Sequence, residues 1–205
     1  MKRIGILGGT FNPIHIGHLT IAEMVHEQLN LDKVIFVPSN LPPHKSSKNV
    51  VSAGDRCHMI RLAVRGNPRF EVSDYEIKKG GKSYSIETVN HFRDSYPPGT
   101  KLFFIIGSDV LPTLRTWKRI NDIFKIVSFV SVNRPGFKEK KSKVKLRSIT
   151  VPGLQTSSSY VRKRITSGKT VKYLVPDNVL SYIEKKRLYK INNSRKEKHG
   201  KKSER

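Results

Sequence analysis

Along the chain, short apolar runs alternate with longer stretches in which apolar residues recur every three or four positions. Residues 4–7, 33–38, 70–73, 102–106, 126–132 and 148–151 are short and rich in β-branched and aromatic side chains, and read as strands. Residues 16–29, 53–64, 85–95, 110–124, 157–167 and 177–186 read as helices, the last opened by Pro176 and Asp177. Nearly continuous apolar strands alternating with helices predict an α/β protein: a Rossmann-like, doubly wound parallel sheet with helices on both faces. Ligands of such a sheet bind beyond the carboxyl ends of its strands. The polar stretch 39–52, between the second strand and the next helix, is long enough for a functional loop.

A length of 205 residues fits one domain. The division expected is a folded domain over 1–190 and a basic tail over 191–205, which from Asn192 onward carries no large apolar residue and reads as disordered. The apolar runs are far shorter than the roughly 20 residues of a membrane span. Only a few apolar residues separate Met1-Lys2-Arg3 from Gly8, so no secretory signal is read, and a soluble cytoplasmic protein is expected. The single Cys57 excludes an internal disulfide and a zinc site built from cysteines alone.

Charge raises a different question. Lys and Arg number 40 against 16 Asp and Glu, a net +24. Residues 1–100 hold 13 basic and 9 acidic residues, net +4; residues 101–205 hold 27 and 7, net +20. A nucleic-acid partner would suit such a balance. Two segments concentrate it, 137–147 and the tail, but neither interleaves aromatic residues with basic ones in the way that stacks bases. No specific nucleic-acid partner is therefore assigned. The charge is diffuse and fits the attraction of small anions.

The chemistry is concentrated in two motifs. The first strand runs into Gly8-Gly9-Thr10-Phe11-Asn12-Pro13-Ile14-His15-Ile16-Gly17-His18. Paired glycines allow a tight turn and close approach of a ligand, and the helix start that follows favours an anion. His15 and His18 are three apart, on one side of the helix start, where two imidazoles could donate to phosphate oxygens and stabilise a pentavalent transition state. A His pair at this spacing could also be part of a metal site; no third ligand lies within the motif, although Asp or His from elsewhere could converge. The second motif, Thr156-Ser157-Ser158-Ser159-Tyr160-Val161-Arg162, follows the last strand. Its hydroxyls and helix-start amides form another anion site, and Arg162, one turn in, can reach the same phosphate. No Ser, Cys or Lys is evidently activated as a nucleophile. The two motifs describe a phosphate chain held at both ends, and direct in-line attack by a substrate phosphate fits best.

At this point the chain resembles the nucleotidyltransferase superfamily that carries His-x-Gly-His on a Rossmann-like sheet. Further segments resemble its bacterial nicotinate-nucleotide adenylyltransferase branch, over about residues 3–189: Leu41-Pro42-Pro43-His44-Lys45, Gly54-Asp55-Arg56-Cys57-His58-Met59, Ser83-Tyr84-Ser85, Gly107-Ser108-Asp109 with Trp117 downstream, Arg134-Pro135-Gly136 and Tyr173-Leu174-Val175-Pro176. The resemblance implies adenylyl transfer from ATP to nicotinate mononucleotide, giving nicotinate adenine dinucleotide and pyrophosphate in NAD synthesis. It implies catalytic roles for His15, His18, Lys45 and Arg162. ATP would meet Gly8, Gly9, Thr10, Phe11, His15, His18, Gly107, Asp109, Thr156, Ser157, Ser158, Ser159 and Arg162. The nicotinate nucleotide would meet Asn40, His44, Lys45, Tyr84, Ser85, Trp117 and Arg134. Mg²⁺ would arrive on the ATP phosphates, with no metal site built from protein residues. Nicotinamide mononucleotide or phosphopantetheine as acceptor, a nucleic-acid-binding protein on an inert scaffold, and a homo-oligomer remain open.

Overall fold

The computed structural model describes residues 1–41, 50–133, 146–151 and 156–190. Six strands form one sheet: β1 (Arg3–Gly9), β2 (Lys33–Pro38), β3 (Phe70–Val72), β4 (Lys101–Gly107), β5 (Val127–Asn133) and β6 (Arg147–Thr150). Their order is β3-β2-β1-β4-β5-β6, and every pairing is parallel. The chain winds outward from β1 in one direction and then, from β4, in the other. The strand order therefore reverses between β1 and β4, and the cleft outside their carboxyl ends is where a doubly wound sheet binds ligand.

Helices cover both faces: α1 (Ile16–Gln28), α2 (Ala53–Val64), α6 (Ser158–Thr166) and α7 (Asp177–Lys185) on one, α4 (Ser85–Ser95) and α5 (Ile120–Ile126) on the other. Successive strand residues feed alternate cores. Phe103 and Ile105 join the first core, while Leu102, Phe104 and Ile106 join the second. This two-sided burial explains why the strands are apolar without a polar alternation. Gly5 in β1 is fixed by packing, since a Cβ there would lie 2.8 Å from Leu31 Cδ1.

Two local readings are corrected. Residues 110–124 are not one helix. A 3₁₀ stretch, Ser108–Thr116, contains Pro112, and α5 starts only after Arg119, whose φ of +55° breaks the helical path. A short helix, α3 (Tyr75–Lys79), occupies a segment too brief to show a period. Among the described residues, no helix is long and apolar enough to cross a membrane. The tail 191–205 and most of 137–147 fall outside the described residues.

Candidate active site

The first motif sits where the reversal of strand order places a ligand. β1 ends at Gly9, and the chain turns through Phe11 at φ +47° into a buried loop. The Phe11 ring packs back against Gly9, where a Cβ would lie 3.0 Å from it, and tilts onto Phe36. Phe11 is thus a core side chain, and only its backbone can face a nucleotide. The ring also meets His18 edge-on at 4.9 Å between centroids, and His18 stacks on His15 at 3.7 Å.

The two histidines differ in position. His15 is 1% exposed, whereas His18 is half-buried. The His15 backbone N–H donates to His18 Nδ1 at 3.2 Å. An Nδ1 that accepts leaves the proton of a neutral imidazole on Nε2, so His18 is set as an Nε2–H donor. Gly17 leaves little room between them, because a Cβ there would lie 3.1 Å from the His15 ring. One expectation is corrected: the helix start is not an open row of amides. Ile16 N donates to Leu174 O at 2.9 Å and His18 N to His15 O at 2.9 Å. Two amides at the start of α1 are therefore already occupied.

The second motif closes on the first. Arg162 Nη1 donates to Asn12 O at 2.7 Å, and Ser158 Oγ donates to Pro13 O at 2.8 Å. Ser157 is the N-cap, its Oγ accepting from Tyr160 N at 3.1 Å. Arg162 Nη2 donates to the exposed Ser159 Oγ at 3.1 Å. The serines therefore divide their labour: Ser157 starts α6, Ser158 ties it to the first loop, and Ser159 stands outward with Arg162. Thr156 is buried at the entry to the helix.

On the opposite side, Asn40 links the loop after β2 to the start of α4. Its N–H donates to Ser83 Oγ at 2.9 Å and its Nδ2 to Gly81 O at 3.0 Å. Tyr84 is the N-cap of α4, and Ser85 its first residue. Lys118 Nζ lies 4.4 Å from the centre of the Tyr84 ring, bringing the segment after β4 to the same place. Trp117 is half-buried and meets Phe104 and Phe129 edge-on, so part of its indole belongs to the second core. Asp109 is exposed just beyond β4, and its carboxylate folds over Gly107, where a Cβ would strike Oδ1. His44, Lys45 and Arg134 lie outside the described residues.

Residues 6–164 match the cytidylyltransferase-like family model. A protein of Desulfitobacterium hafniense named "Probable nicotinate-nucleotide adenylyltransferase" is 41% identical, with 93% of this chain and 97% of that one covered. A protein of the same name from Thermoanaerobacter is 42% identical over 92% of this chain and 94% of its own. The chain belongs to the nicotinate-nucleotide adenylyltransferase family. Its fold is also that of a solved structure, Plasmodium falciparum nicotinic acid mononucleotide adenylyltransferase complexed with NaAD, at TM-score 0.78 and 21% identity, over 92% of this chain and 98% of that one.

Within this adenylyltransferase chain, several residues that organise the site carried no strong local signal. Arg56 is buried and donates to carbonyls of three separate segments. Asn12 Oδ1 accepts from Val51 N at 3.3 Å and from Tyr189 Oη at 2.9 Å. Burial pushes the Tyr189 phenol well above its usual range, so it stays a donor. Glu76 on α3 is a buried carboxyl that accepts from Thr88 Oγ1 at 2.5 Å and also bonds Ser83. Arg56 and Asn12 both lie inside quoted segments, and a polar residue within a recognised motif was the available clue. Lys118, next to Trp117, could be found the same way.

Proposed function

We propose that the chain transfers the adenylyl group of ATP to nicotinate mononucleotide. An oxygen of the acceptor phosphate attacks the α-phosphorus, a new P–O bond forms, the bond to the β-phosphate bridging oxygen breaks, and pyrophosphate leaves. The products are nicotinate adenine dinucleotide and pyrophosphate, a step of NAD synthesis. The observation that carries this reading is the joining of the two phosphate motifs at the end of β1. Arg162 and Ser159 are held to the loop that presents His18. The names of its relatives support the reading, as does the dinucleotide in the Plasmodium structure.

In this mechanism, His18 Nε2–H and the Arg162 guanidinium donate to phosphate oxygens that gain charge at the transition state, and Ser159 orients Arg162. His15 is buried behind His18 and positions it by stacking and through its backbone N–H. No protein nucleophile is needed, so the rate comes from positioning and electrostatics. Mg²⁺ carried by the ATP phosphates would neutralise part of their charge. The donors at the site are N–H and hydroxyl groups, and among the described residues no three His, Cys, Asp or Glu side chains cluster. Such a site fits an ion held by phosphate oxygens and water.

Preference for the acid over the amide has support in Lys118. Its ammonium lies beside Tyr84 at the positive end of α4, where a ring carboxylate gains more than an amide. The test is purified protein with ATP, Mg²⁺ and either mononucleotide, with dinucleotide and pyrophosphate measured by chromatography. Turnover with the acid, faster than with the amide, is expected. Formation of neither product overturns the reading, and a preference for the amide overturns the acceptor.

A further inference from the structure

The Arg56 guanidinium is 1% exposed, yet none of its acceptors is a carboxylate. Nη1 donates to Thr10 O at 2.7 Å, Nη2 to Asn40 O at 3.1 Å and Nε to Val51 O at 3.2 Å. Thr10 follows the glycines of β1, Asn40 follows β2, and Val51 leads into α2. A charged group in a dry site is costly unless it is hydrogen-bonded, and here three main-chain carbonyls accept one bond from each of its three nitrogens. Leucine or methionine could fill the space but would leave the three carbonyls without this donor, so filling space does not account for an arginine here.

The geometry accounts for it differently. The planar fork reaches carbonyls in fixed directions, and a lysine cannot reproduce that. Ser39 N also donates to Gly9 O at 2.9 Å, so the loops after β1 and β2 already touch, and Arg56 sets their relation one residue further out on each. The chain of contacts continues from Asn40 N–H to Ser83 Oγ and from Ser83 to Glu76, ending at Thr88 on α4. The ATP-side loop and the acceptor-side helix start are thus joined through Arg56, the Asn40 main chain and Ser83.

We propose that Arg56 is a positioning residue of the transfer reaction. It touches neither substrate; it holds the Thr10 loop against the Asn40 loop and so sets the separation of the two reacting phosphates. The proposal rests on the adenylyl-transfer reading above. An in-line displacement is sensitive to such placement, and a misplacement of about 1 Å costs on the order of 100-fold.

The test compares wild type with Arg56→Lys and Arg56→Met in the full chain. Thermal melting and circular dichroism establish folding, calorimetry gives the Kd of ATP and of mononucleotide separately, and kinetics give kcat and KM. Expected are separate Kd values within about 3-fold of wild type and a kcat lower by roughly 10- to 100-fold in both variants. Arg56→Lys keeps the charge and serves as the decisive variant if Arg56→Met does not fold. A folded Arg56→Lys with wild-type kcat overturns the proposal, as does a loss confined to KM. The substrate assignment is read separately from wild-type turnover alone. The variant-to-wild-type ratio is taken on whichever mononucleotide the wild type accepts.

Discussion

Arg162 Nη1 donates to the carbonyl oxygen of Asn12 at 2.7 Å, across 150 positions of the chain. The same guanidinium donates through Nη2 to Ser159 Oγ. One side chain therefore both fixes the loop before the histidines and faces the place assigned to the polyphosphate. Arg162→Lys keeps the charge but offers a single nitrogen for two divergent acceptors. Losing one charged hydrogen bond predicts that kcat/KM for ATP falls by about 10- to 100-fold. Steady-state kinetics at saturating mononucleotide measure this, and an unchanged kcat/KM would contradict the role.

His18→Ala removes the Nε2–H donor and the acceptor of His15 N. A kcat lower by about 10²–10³ is expected, the scale of losing one transition-state donor. The KM for ATP should change little, since the interaction is assigned to the transition state. Full activity in a folded His18→Ala protein would exclude His18 from catalysis.

Gly17→Ala adds a methyl 3.1 Å from the His15 ring. That ring is buried and stacked on His18, so it can yield only by disturbing the stack. A stability loss of about 1–3 kcal/mol is expected from overpacking. Activity should fall further than stability alone explains. Denaturant titration and kinetics on one preparation separate the two effects.

Lys118→Ala removes the cation next to Tyr84. A partly screened charge contributes on the order of 1 kcal/mol, so kcat/KM for nicotinate mononucleotide should drop about 5-fold. The value for nicotinamide mononucleotide should hold, and the ratio of the two should collapse accordingly. Equal losses on both substrates would mean that Lys118 acts through packing on Tyr84.

Glu76→Gln tests the buried carboxyl. Burial raises Glu76 above the ordinary carboxylate range, against the lowering effect of its bonds to Ser83 and Thr88. As pH climbs past that ordinary range, the unfolded chain releases this proton while the folded protein still holds it. Wild-type stability therefore falls with rising pH, from the ordinary carboxylate range up to the raised folded value. The glutamine variant lacks this term, so it should gain on wild type as pH rises above the ordinary carboxylate range in urea titrations. A difference independent of pH would show that Glu76 ionises alike in both states.

The parts legible in the sequence were those with short-range signatures. Residues 102–106 are apolar throughout because β4 is buried on both faces, and this pattern needs no knowledge of partners. His15 and His18 could be placed together because one helical turn brings them there. Their unequal burial could not, since it depends on Phe11 and on the arrival of α6. The helix read over 110–124 failed because Pro112 and the left-handed Arg119 outweighed a plausible apolar period. Arg56 was passed over as part of a helix start. Its three acceptors come from positions 5, 16 and 46 residues away, and no spacing rule collects them. The occupied Ile16 N–H was likewise invisible, because its acceptor belongs to Leu174.

The loop from Asn12 to Ile16 also has a history in time. Besides Val51, its partners are Ser158, Arg162, Leu174 and Tyr189, so four late positions hold Asn12, Pro13 and Ile16. Contacts of such separation close last, after the local helices and the β1–β2 pairing are available. A growing chain would carry the His-x-Gly-His sequence from its first moments and yet lack a fixed site until Tyr189 had been made.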